Sequence, residues 1–94
     1  MSYITVSSWE ATDWSDEMED TARQKYIPMV KSLGADSIDM VRCGNLKFIV
    51  VTKYPDEATA KNAQARVAEI RAQAAEELPT KMTGVEEGEA FASG

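Results

Sequence analysis

The chain has 94 residues, which is the length of one small domain, and its 16 acidic against 10 basic residues give a net charge of −6. Nucleic acids and anionic membranes repel such a chain, so we expect neither as a partner. The chain contains no histidine, which excludes Ser/His and Cys/His catalysis and histidine-ligated haem.

The first third of the chain predicts a strand followed by a helix. Residues 3–9 alternate with period two, which is typical of a strand with two different faces. Ser15 is one of the side chains that can cap the following helix, and acidic residues fill its first turn. The spacing of apolar residues predicts a helix over 16–33 that ends at Gly34 and is kinked or split at Pro28, because proline removes a backbone donor.

The middle of the chain, residues 37–54, predicts a β-hairpin. Gly44-Asn45 is a dipeptide typical of a two-residue turn, and that turn would place Arg42 opposite Lys47. One face of the hairpin would then be wholly apolar and covered by helices, whereas the other would be mixed. The wholly apolar face would carry Ile38, Met40, Ile49 and Val51, and the mixed face would carry Ser37, Asp39, Val41, Phe48, Val50, Thr52 and Tyr54.

The last part of the chain predicts a second helix and a final strand. Asp56 is suited to cap a helix that stops before Pro79, and residues 82–91 are expected to form a strand that Gly84 and Gly88 bend or bulge. The order β-α-β-β-α-β is the ferredoxin-like pattern. We therefore predict a single α+β domain, residues 1–94, with a four-stranded antiparallel sheet and two helices on one face.

Such a sheet has a second face that no helix covers. The predicted register makes this face too apolar to remain exposed to water. At about 25 cal/mol per Å², hiding about 600 Å² of it would contribute on the order of 15 kcal/mol before the entropy of association is subtracted. A second copy of the chain is the expected cover. The predicted dimer interface contains Tyr3, Trp9, Val41, Phe48, Val50 and Tyr54.

From Tyr3 to Phe91 the chain resembles the dimeric α/β-barrel superfamily, which includes antibiotic-biosynthesis-type monooxygenases and stress-responsive barrel proteins. The resemblance rests on the element order, the acidic start of the first helix, the Gly44-Asn45 hairpin, and the segments YPDEA at 54–58 and GVEEG at 84–88. It implies a homodimer whose sheets dimerise into an α/β barrel, with a ligand cavity between sheet and helices. Because histidine is missing, the activities of the haem-binding and several cofactor-free members do not transfer.

Four side chains are candidates for contacts with a ligand: Tyr26, Asp39, Met40 and Arg42. Asp39 is predicted among apolar neighbours, so it acts either as a general base or polar handle for a ligand, or as an ion-pair or hydrogen-bond partner across the dimer. Arg42 opposite Lys47 would need a glutamate from elsewhere or an anionic ligand. Tyr26 is either a core aromatic residue or the edge of a space beneath the interrupted helix.

Two functions are compatible with these features. The first is binding of a small molecule in the cavity. The alternative is a cofactor-independent monooxygenase or isomerase that acts on a phenolic or quinone-like compound, with Tyr26, Asp39 or Arg42 as its polar groups. We expect no cofactor. Glu86, Glu87 and Glu89 could suggest a metal site, but adjacent residues on a strand point in opposite directions, so we expect a solvated edge and no metal.

Two other functions found on this fold do not agree with the sequence. RNA recognition disagrees with the acidic charge, and acylphosphatase activity requires an arginine-bearing glycine loop that the chain lacks.

The single cysteine, Cys43, cannot form an internal disulfide. No export or anchoring signal is visible, so we expect a cytoplasmic protein.

Overall fold

Four strands form one antiparallel sheet, and two helices lie on one face of it. The computed structural model describes all 94 residues. The strand order is β2-β3-β1-β4, which is the ferredoxin-like order and confirms the predicted fold class. The strands are β1 (Tyr3–Ala11), β2 (Ser37–Arg42), β3 (Lys47–Tyr54) and β4 (Thr80–Glu89), and the helices are α1 (16–31) and α2 (Glu57–Glu77).

Helix α1 is interrupted near Pro28 by a π-helical segment. The Ser15 hydroxyl caps the helix and accepts a hydrogen bond from the Met18 amide at 3.1 Å. Two α-helical segments, Asp16–Thr21 and Ile27–Lys31, flank the π-helical segment Ala22–Tyr26. Proline has no amide to donate, and its ring clashes with the preceding turn of an α-helix. The wider π turn just before Pro28 accommodates both defects.

Both ends of helix α2 agree with the sequence prediction. The Asp56 carboxylate accepts hydrogen bonds from the amide and the hydroxyl of Thr59, each at 2.8 Å. The helix ends at Glu77, two residues before Pro79. No helix in the structure is both long enough and apolar enough to cross a membrane.

The hairpin register differs by one residue from the predicted one. Arg42 pairs with Phe48, and the Cys43 amide donates to the Lys47 carbonyl at 3.0 Å. Three residues, 44–46, therefore form the loop instead of two. A shift of one residue turns every β3 side chain to the other face of the sheet relative to β2, so the predicted face assignment is wrong.

Tertiary contacts explain why the two-residue turn does not form. Its usual hairpin form, type I′, requires a positive φ at both central residues, yet Gly34 is the only residue of the chain with positive φ. The Leu46 carbonyl accepts a hydrogen bond from β1 at 2.8 Å, and the Leu46 side chain packs against buried aromatic residues. Phe48 contacts two tryptophan rings beneath the helices. These contacts outweigh the local preference of the Gly-Asn dipeptide.

Five of the six residues predicted for the dimer interface lie on the helix-covered face. Successive strand residues point to opposite faces, and β1 pairs with β3 so that Tyr3 lies beside Tyr54 and Trp9 beside Phe48. These four side chains are buried within one protomer, and Val50 is half-buried on the same face. Only Val41 lies on the uncovered face. The shifted register separates Val41 of β2 from Phe48, Val50 and Tyr54 of β3, and the pairing with β1 places Tyr3 and Trp9 on the same face as the β3 residues.

The core beneath the helices is divided into two clusters. Ser7 of β1 and Thr52 of β3 lie between these clusters, so the middle of the sheet carries small hydroxyl side chains where bulky ones would otherwise meet. This division leaves space between the sheet and the helices. The larger cluster contains Tyr3, Tyr26, Val30, Ala35, Tyr54, Ala60, Ala63 and Ile70, and the smaller one contains Trp9, Ala11, Met18 and Phe48.

Strand β4 is an edge strand with little burial. Thr80 is its only buried residue, and the strand pairs only with β1. The register between the two strands shifts at Ser8/Trp9, opposite residues 82–84, so the irregularity predicted from Gly84 is present.

Candidate functional site

A cavity of about 350 Å³ lies between the helices and the sheet. It occupies the gap between the two core clusters, where small side chains such as Ser7, Ala22 and Ala74 leave space. Sixteen of its 24 lining residues are hydrophobic, so the cavity is an apolar compartment with a few polar groups. The apolar lining includes Trp9, Met18, Val30, Ile38, Met40, Phe48, Val50, Tyr54, Val67, Ile70 and Leu78.

The π-helical segment of α1 forms part of the cavity wall. Ala22, Arg23 and Tyr26 line the cavity and belong to this segment. Single π turns inside α-helices are frequent at functional sites, because the wider turn changes which side chains face inward. The sequence predicted an interruption here but not its geometry.

Tyr26 is buried, and its hydroxyl is engaged by Glu77. The hydroxyl donates to Glu77 Oε1 at 3.0 Å, and Lys25 Nζ contacts Glu77 Oε2 at 2.5 Å. Burial, the hydrogen bond to Glu77 and the charge of Glu77 together raise the pKa of Tyr26 to about 12. The hydrogen bonds from Lys25 and Tyr26 lower the pKa of Glu77. At neutral pH Tyr26 is therefore a protonated donor and does not act as a base.

Arg42 borders the cavity and stacks on an aromatic ring. Its Cζ lies 4.2 Å from the centre of the Trp14 ring, and its Nη2 donates to the Asn45 carbonyl at 2.6 Å. The Trp14 indole in turn donates to Glu19 Oε2 at 2.6 Å. Arg42 does not lie opposite Lys47, so the predicted like-charge pair does not exist.

Met40 and Asp39 border the cavity in different ways. Met40 is half-buried and packs against the larger core cluster from the helix-covered face. Asp39 is exposed and pairs with Val51, and its side chain points to the uncovered face because its neighbours point to the helices. The predicted surroundings of Asp39, namely Val41, Phe48 and Val50, are correct only for Val41.

Among the other polar residues of the lining are Thr80 and Arg71, and neither was predicted from the sequence. Thr80 is nine-tenths buried, and its Oγ1 has no hydrogen-bond partner. Arg71 is half-buried beside Ile70 on α2. The position of Arg71 next to the apolar stripe of α2 was a signal in the sequence, whereas nothing local distinguishes Thr80.

The carboxylates of the chain do not assemble into a metal site. No group of three cysteine, aspartate or glutamate side chains is arranged to hold a metal ion. Glu87 forms an ion pair with Lys61 at 3.1 Å on the helix-covered side of β4. Glu86 is its neighbour along the strand, so its side chain points to the opposite face.

Comparison with known proteins does not place this chain in a family. No family model matches it, and a search of the curated proteins finds no match. The ferredoxin-like fold is therefore assigned from the strand order and the helix placement alone.

Proposed function

We propose that the protein binds a small, largely apolar molecule in the cavity between the helices and the sheet. The observation that carries the proposal is the cavity itself, whose volume of about 350 Å³ lies within the range of about 300–1,000 Å³ typical of ligand pockets. Its lining is mainly apolar and includes a few inward-facing polar groups, which is the usual composition of a small-molecule site.

The composition of the cavity wall supports the same proposal. Exposed residues such as Arg23 and Arg42 border the cavity, so water can enter it. An apolar wall offers water few hydrogen bonds, so an apolar ligand that displaces this water is favoured.

We expect the substitution Ala74→Phe to block binding. Ala74 is half-buried on α2 and lines the cavity, so a phenyl ring at this position would fill part of it. With naphthalene-2-carboxamide as a neutral aromatic probe, titration calorimetry should show binding to the unmodified protein and affinity at least about tenfold weaker for Ala74→Phe.

The matched control is Ala65→Phe, which adds the same ring to an exposed position of the same helix. It should leave the affinity for the probe unchanged, and thermal melts should show that both variants are folded. Equal binding to both variants would contradict the cavity as the site. No binding to the unmodified protein at millimolar probe would contradict the proposal itself.

We also propose that two copies associate through the uncovered face of the sheet, as the resemblance to dimeric α/β barrels implies. Apolar side chains occupy the centre of this face, and charges of both signs surround them, so a second copy fits better than water. Asp39 of one protomer would then lie near the partner subunit. By strand alternation the apolar residues are Ile4, Val6, Val41, Ile49 and Val51, and the charged ones are Glu10, Asp39, Lys47, Lys53, Lys81 and Glu86.

The substitution Val51→Asp is expected to give a monomer. Val51 pairs with Val6 at the centre of the uncovered face, so a dimer would bury the new carboxylate without a partner. Sedimentation should show the mass of two chains for the unmodified protein and of one chain for Val51→Asp. The control Val85→Asp changes an exposed residue on the opposite face of β4 and should remain dimeric. An unmodified protein that sediments as a monomer would refute the dimer.

A further inference from the structure

Five charged residues line the cavity. Four of them either form hydrogen bonds or ion pairs within the protein or point away from the cavity. Glu19 accepts a hydrogen bond from an indole and lies 3.9 Å from Arg23, which also pairs with Asp20 at 2.8 Å. Arg42 is bonded to a carbonyl of the hairpin loop. Asp39 directs its side chain to the uncovered face of the sheet.

The fifth charged residue, Arg71, has no partner. Its guanidinium forms no ion pair and no hydrogen bond, and the residue as a whole is half-buried. The positive charge of Arg71 opposes the rise in the pKa of Tyr54 that burial causes, so it acts electrostatically on a group inside the same cavity. A partly buried cation without a counter-ion is a favourable position for an anion, because an anion beside it replaces water that the burial removes.

Two hydroxyl groups add polar contacts to the same cavity. Thr80 Oγ1 has no partner and is nine-tenths buried. Ser7 Oγ accepts a hydrogen bond from the Trp9 indole at 2.8 Å, which leaves the hydroxyl proton of Ser7 free to donate. The cavity therefore offers hydroxyl donors in addition to a cation.

The charge of the cavity lining is opposite to that of the whole chain. Three arginines and two acidic residues, Glu19 and Asp39, line it, which gives +1 in a protein whose net charge is −6. Glu19 and Arg23 pair with each other and Asp39 points away. The positive charges without a counter-ion are therefore those of Arg42, which bonds only to a neutral carbonyl, and Arg71. A lining of this kind favours an anionic ligand over a neutral or cationic one.

We infer that the ligand is an aromatic or other apolar carboxylic acid whose carboxylate pairs with Arg71, while its apolar body lies between the two core clusters. This inference rests on the proposed binding function. Guanidinium and carboxylate form two parallel hydrogen bonds, which fixes the orientation of an acid more firmly than a lysine would. The hydroxyl of Thr80 supplies a second polar contact for the bound molecule.

The test compares naphthalene-2-carboxylate with naphthalene-2-carboxamide, which have the same shape and differ in charge. The unmodified protein should bind the carboxylate at least about tenfold more tightly than the amide, and added salt should reduce this preference. Arg71→Met keeps much of the apolar stem and removes the charge. It should abolish the preference for the carboxylate over the amide.

Arg66→Met is the matched control, because Arg66 is an exposed arginine of the same helix that pairs with Glu69. It should retain the full preference for the carboxylate. Equal affinities for the two probes in the unmodified protein, with both blocked by Ala74→Phe, would overturn the role of Arg71 and leave the cavity as the site. If neither probe binds, or if Ala74→Phe blocks neither, the proposed binding function is overturned as well.

Discussion

The substitution Phe48→Ala is expected to lower the free energy of unfolding by about 3–5 kcal/mol. Phe48 is buried, its ring stacks on Trp9 with centroids 5.9 Å apart, and it meets the edge of Trp14 at 5.7 Å. Removing the ring leaves a void between two large aromatic side chains that cannot collapse into it. The loss is a large share of the stability of a small domain, and urea unfolding followed by circular dichroism measures it.

The neighbouring substitution Ile49→Ala is the control for the strand register. Ile49 points to the opposite face and is only half-buried in one protomer, so its loss should be at most about 2 kcal/mol. Both variants are compared at low protein concentration, where association contributes little to stability. A larger loss for Ile49→Ala than for Phe48→Ala would show that the hairpin has the register expected from a two-residue Gly44-Asn45 turn.

The substitution Gly34→Ala is expected to lower the free energy of unfolding by about 2–3 kcal/mol, the second largest loss of stability after Phe48→Ala. Gly34 has φ +102, outside the regions that residues with a Cβ favour, and such backbone strain costs of order 1–3 kcal/mol. An added Cβ would also lie 2.8 Å from the Cγ2 methyl of Thr59. The measurement is again the free energy of unfolding in urea.

The two contributions at Gly34 can be separated in a Thr59→Ser background. Serine lacks the methyl group and keeps the amide and hydroxyl that bond to Asp56. Gly34→Ala should therefore cost about 1 kcal/mol less in this background, because the backbone strain remains and the close contact is gone. Equal losses in the two backgrounds would show that the contact with Thr59 has no energetic role.

The parts of the fold that were predictable from sequence are those set by local chemistry. Ser15 and Asp56 cap their helices, Gly34 adopts positive φ after the first helix, and Pro79 follows the end of the second. Each depends on a few neighbouring residues. The hairpin register was not predictable in this way, because contacts of Leu46 and Phe48 with other strands and helices decide it.

The candidate site was predictable in part, for a related reason. Tyr26, Met40 and Arg42 line the cavity, and Asp39 borders it with its side chain turned away. These residues were identified because an interrupted helix and a hairpin indicated where space would form. Arg71 and Thr80 were missed because their distinguishing property is the lack of a partner, which depends on everything that surrounds them in three dimensions.

The divided core gives the protein two separate optical probes. Both tryptophans of the chain contact Phe48 at one end of the cavity, whereas all three tyrosines belong to the cluster at the other end. A molecule bound at the first end therefore changes tryptophan emission, and a molecule bound at the second end changes tyrosine absorption. Comparing the two signals during a titration would show which end of the cavity a bound molecule contacts, without any attached label.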